Sequence, residues 1–62
     1  MIYIEIWTED GIDFDAPSMS PEEIKHFVEL LKEHGLSIEG ECYHFKKAIY
    51  HVENKTFEIT VE

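Results

Sequence analysis

Isoleucine alternates with other residues at the start of the chain, MIYIEIWT, and the alternation resumes after a turn in IDFDA. A period of two marks a strand with one buried face. A two-residue Asp10-Gly11 loop would pair Ile6 with Asp15 and set an aspartate among the core isoleucines. A three-residue Glu9-Asp10-Gly11 loop, with a left-handed glycine at a bulge, instead pairs Thr8 with Ile12, Ile6 with Phe14 and Ile4 with Ala16. The longer loop puts every apolar residue on one face, whereas a slip of one residue inverts the faces. Pro17 is expected to end the second strand and to mark it as an edge strand.

The period then changes. SMSPEEIKHFVELLKEHG spaces Ile24, Phe27, Val28 and Leu31 along one helical stripe, with His26, Glu29 and Glu33 opposite and Leu30 at the stripe's edge. Ser20 is the expected N-cap, Pro21 takes the first helical position, and Glu23 completes a capping box. Met19 is placed to staple against Ile24. Gly35 is expected as a left-handed stop, with Leu36 folding back onto Leu31.

A second hairpin is read in AIYHV-ENKT-FEITVE. A four-residue loop pairs Val52 with Phe57, Tyr50 with Ile59 and Ala48 with Val61 on the inner face, and His51 with Glu58 on the outer. Tyr43 and Phe45 are out of phase with this set. A bulge at Lys46-Lys47 brings them into it. Residues 36–41 are expected as a lead-in to this strand or its frayed start. The sum is one α+β domain over 1–62, β-β-α-β-β, with one helix packed on one face of a four-stranded, mostly antiparallel sheet. The other sheet face is left open.

Charge then narrows the partners. Fourteen acids face five lysines and no arginine, for a net charge of −9. Residues 1–23 carry seven acids and no lysine; the rest carry seven acids and all five lysines. Such a surface repels nucleic acid and anionic membrane and attracts a basic protein surface. Neither direct nucleic-acid binding nor membrane association is expected. No basic segment precedes an apolar run, and Cys42 is the one cysteine, so a reducing, cytoplasmic setting is the expectation.

The stretch WTEDGIDFD concentrates this charge around an aromatic residue. In the chosen register Tyr3, Glu5, Trp7, Asp13 and Asp15 share the outer face, with Glu5 opposite Asp15 and Trp7 opposite Asp13. Opposed like charges destabilise a strand pair, and exposed aromatics are enriched at interface centres. Charge alone keeps an edge strand soluble, but the combination with an exposed tryptophan tilts toward a binding face. Tyr3, Glu5, Trp7, Glu9, Asp10, Asp13 and Asp15 are therefore the candidate partner-binding residues, with Trp7 as anchor.

Other chemistry has weaker support. Glu5, Asp13 and Asp15 fall short of the oxygen count of a calcium cage and lack its loop pattern. Cys42, His44 and His51 match no common zinc spacing. Cys42 and His44 form a dyad in composition, without a third group to orient the base. The glycines at 11, 35 and 40 form no phosphate-binding loop. Neither an enzyme, a metal site nor a cofactor is expected.

In size and charge alone, the chain resembles the small acidic inhibitors encoded by phages and mobile elements. That resemblance implies a non-enzymatic inhibitor or adaptor of a host defence or nucleic-acid enzyme; the two facing rows of carboxylates fit either a DNA mimic in a basic groove or a generic acidic protein-binding patch. The alternative from a different class is a self-assembling homodimer, joined through the open sheet face, a strand edge or Leu30.

Overall fold

The computed structural model describes residues 1–62. The elements are β1 (Ile2–Thr8), β2 (Asp13–Met19), α1 (Pro21–His34), β3 (Leu36–Ile38), β4 (Glu41–Tyr43), β5 (Phe45–His51) and β6 (Thr56–Val61). Four strands form one sheet in the order β2-β1-β6-β5, and β3 pairs with β4 in a small separate hairpin. The central strands β1 and β6 run parallel, and the two outer pairs are antiparallel. The class is α+β, with a mostly antiparallel sheet.

The first hairpin has the three-residue loop. Ile6 pairs with Phe14, Ile4 with Ala16, Glu5 with Asp15 and Trp7 with Asp13. Gly11 takes φ 85° and donates its N–H to the Thr8 carbonyl, while Thr8 and Ile12 close the ladder. Pro17 does not end β2. The strand continues to Met19, and an irregularity absorbs the proline: Ile4 faces Ala16 while Ile2 faces Met19. An edge strand tolerates this because the missing N–H would point away from the sheet. β2 is indeed an edge strand.

The helix starts as its sequence dictates. The Ser20 N–H donates to the Glu23 carboxylate at 3.0 Å, and the Glu23 N–H donates to the Ser20 hydroxyl at 3.3 Å. The Ser20 N–H first, and its hydroxyl second, hold the Glu23 carboxyl below the usual glutamate range. The helix stops differently from expectation. Gly35 has φ 75° but ψ −169°, so the chain leaves extended and enters β3 without a left-handed turn. This conformation is open almost only to glycine. Leu36 joins the core as a strand residue.

The second hairpin keeps its faces but slides by two residues. Tyr50 pairs with Phe57, Ala48 with Ile59 and Phe45 with Val61, around a loop of Val52–Lys55. Val52 is thereby expelled into the loop, 71% exposed. The shift sets the large Phe45 ring opposite Val61 and brings the Tyr50 and Phe57 rings within 6.5 Å. Aromatic partners of this kind strengthen a cross-strand pair. The register shift between Phe45 and Lys47 is the bulge expected at Lys46-Lys47. His51 meets Glu58 diagonally at 3.4 Å and does not face it directly, because Ile49 occupies that place.

Residues 36–43 are a hairpin and not a frayed lead-in. Leu36 pairs with Tyr43 and Ile38 with Glu41 around a two-residue Glu39-Gly40 turn, both residues at positive φ. Tyr43 therefore belongs to β4 and not to the strand of Tyr50. Ile4, Ile6, Ile24, Leu31, Ile59 and Val61 form the buried core, and Leu36, Ile38 and Tyr43 pack against it. Helix and small hairpin together cover one face of the main sheet.

Candidate functional site

Strand alternation sends Ile4 and Ile6 inward and Tyr3, Glu5 and Trp7 outward from β1. On β2 the same rule turns Asp13 and Asp15 outward beside them. Five of the seven expected residues thus share the sheet face that the helix does not cover. Tyr3 is the most open of the aromatics there, 65% exposed.

The parallel pairing of β1 with β6 adds a residue that sequence reasoning did not place in the patch. Glu5 faces Asp15 on one side and Glu58 on the other. Three carboxylates therefore stand in one row across three strands. The next rung reads Asp13, Trp7, Thr60 and Lys47, and Ile49 closes the carboxylate row on β5. Glu58 and Ile49 were readable as outward residues of the second hairpin, but only the strand order sets them beside Glu5.

Trp7 is not an exposed anchor. The residue is half-buried, and its indole N–H is fully withdrawn from solvent without an acceptor. A shallow depression of about 690 Å³ runs beside it, lined by Trp7, Glu9, Lys46, Lys47, Glu58 and Thr60 among others. The open face is thus acidic over β2, β1 and Glu58 and turns basic at the Lys46-Lys47 bulge.

Glu9 and Asp10 sit apart from this row. Glu9 is ion-paired with Lys46, whose hydrogen bond and then charge hold the Glu9 carboxyl below its usual range; the same contact raises the Lys46 pKa. Glu9 thus stays ionised beside a lysine and does not extend the carboxylate row. Asp10 borders a second groove, with Ile12, Phe14 and the β3–β4 hairpin.

Cys42 is exposed and faces Ser37 on the small hairpin, whereas His51 contacts Glu58 on the main sheet. No group of three or more His, Cys, Asp or Glu side chains is arranged to hold a metal ion. No helix is long and apolar enough to cross a membrane. Comparison with protein-family models, curated proteins and solved structures finds no match.

Proposed function

We propose that the protein is a non-enzymatic inhibitor or adaptor that docks its open sheet face on a basic surface of a partner protein. One observation carries the reading: the uninterrupted row Asp15-Glu5-Glu58, flanked by Tyr3 and Trp7 on the uncovered face. Side-by-side carboxylates on paired strands oppose folding, each contact by about 0.2–1 kcal/mol. A cationic partner surface removes that repulsion on binding, so the strain favours the complex. A groove that ordinarily holds nucleic acid is one surface of this kind, which makes a nucleic-acid enzyme a natural target class.

The test is capture of partners by wild type beside Tyr3→Ala and the double variant Asp13→Asn, Asp15→Asn. The reading expects one partner held by wild type, lost from both variants, and displaced by heparin or duplex DNA. Retention by both variants would return the row to a merely solvated face. Tyr3 is preferred to Trp7 for truncation, because its exposure separates binding from folding.

The self-assembly reading has its own support at the opposite edge. β5 pairs only with β6, and Ile49, Tyr50 and Val52 are exposed at or near it. Beyond the Lys46-Lys47 bulge, the open edge at Ile49–His51 is a template for a second copy. Sedimentation across a range of concentrations decides: a dimer disrupted by Ile49→Lys supports edge pairing, and a monomer throughout removes it.

A further inference from the structure

On the helix side of the sheet, the tip of the first hairpin and the β3–β4 hairpin enclose a groove of about 480 Å³. Its floor is apolar or aromatic: Ile12, Phe14, Ile38 and Tyr43. Its rim is Asp10, Glu39 and Glu41. No basic residue lines it, and none of the three rim carboxylates takes part in a salt bridge. Ile12 is half exposed at the groove although Phe14, two residues on, packs against the core.

We infer that this groove is a second docking site, and that it takes an arginine side chain from a partner protein. Charge complementarity selects the occupant. An apolar floor beneath an acidic rim matches a side chain with an aliphatic stem and a cationic head. Guanidinium fits better than ammonium, because it is planar, stacks on aromatic rings and engages carboxylates in a fork. The groove is roomy enough to admit one such side chain with its hydration water. Tyr43 reports the field inside. Its phenol is pushed above the usual range by burial first, and then by the charges of Glu41, Asp10 and Glu39. A bound cation there offsets the three carboxylates.

This site lies on the face opposite Asp15-Glu5-Glu58 and stands whether or not that face binds anything. The probe is butylguanidinium, titrated at constant ionic strength into the full chain and followed by the aromatic NMR resonances. Saturable shifts at Phe14 and Tyr43, with a fall in the Tyr43 phenol pKa, are expected. The triple variant Asp10→Asn, Glu39→Gln, Glu41→Gln should weaken binding at least fivefold. The helix triple Glu22→Gln, Glu29→Gln, Glu33→Gln removes the same charge and should change it less than twofold, as should Asp13→Asn with Asp15→Asn. Equal losses in all variants would mean attraction by net charge alone and would overturn the site. Equal affinity for butylammonium would overturn the choice of arginine. Concentration-dependent shifts of the groove resonances without probe would assign the groove to a second copy instead.

Discussion

Gly35 stands where the end of the helix meets the end of β4 and the His44 link to β5. A methyl group there would lie 2.7 Å from the Tyr43 carbonyl oxygen and 3.3 Å from the His44 ring. Backbone cannot swing aside as a flexible side chain can. Gly35→Ala therefore combines an unfavourable φ with a collision, each on the order of 1–3 kcal/mol. A domain of this size has little more than that in reserve, so the variant is expected to be largely unfolded at 25 °C by circular dichroism. Glu39 presents the reverse case. It holds φ 50°, a conformation that asparagine and glycine adopt more readily. Glu39→Asn relieves part of a left-handed cost of roughly 1–2 kcal/mol and should raise the urea midpoint. Trp7 separates two contributions of one side chain. Trp7→Phe removes the orphaned N–H, worth ~1–3 kcal/mol when buried unpaired, and keeps most of the packing. Its melting temperature should equal or exceed wild type, whereas Trp7→Ala should fall below both.

At the scale of elements, the helix start is the most self-contained unit. Ser20→Ala should cost about 1 kcal/mol. The sign of its pH dependence follows from Glu23. That carboxyl is lowered in the folded chain, so its contribution is present above about pH 4.3, where a free glutamate titrates, and is lost as pH falls through the lowered value. Glu9 behaves alike through Lys46. On acidification from neutral pH, wild type should therefore lose more stability than the double variant Glu9→Gln, Glu23→Gln, measured by thermal melts at each pH. Elements set by local pattern were legible in the sequence. The first hairpin register followed from keeping aspartate away from Ile4 and Ile6, and the Lys46-Lys47 bulge from the phase of Phe45 against Ala48. The second hairpin register was legible only in parity. A slide of two residues leaves every face unchanged, so alternation cannot distinguish Val52–Phe57 from Tyr50–Phe57 pairing. The β3–β4 hairpin was hidden because Glu-Gly is a poor turn dipeptide and the flanking strands have three residues each. The candidate face was legible in its β1 and β2 residues, but Glu58 entered through a parallel pairing between distant strands, which no local signal encodes.

Across the whole molecule, charge and stability pull against each other. With a net charge of −9 and the row Asp15-Glu5-Glu58, the folded chain repels itself. Moderate salt should raise its melting temperature by screening that repulsion. Glu5→Gln should stabilise by about 0.5 kcal/mol through the same row, while weakening any partner that the row attracts. The parallel central ladder has a consequence of another kind. Ile6 pairs with Ile59, so nearly the whole chain lies between these partners. Each outer hairpin can close early, because its strands are neighbours in sequence. The ladder that joins them must wait for the costliest loop closure in the fold. During synthesis, β1 therefore leaves the ribosome with β2 on one side and a naked edge on the other, and that edge stays unpaired until β6 is made. A nascent chain stalled before Thr56 would be the aggregation-prone species, and the last strand serves as the fold's own seal.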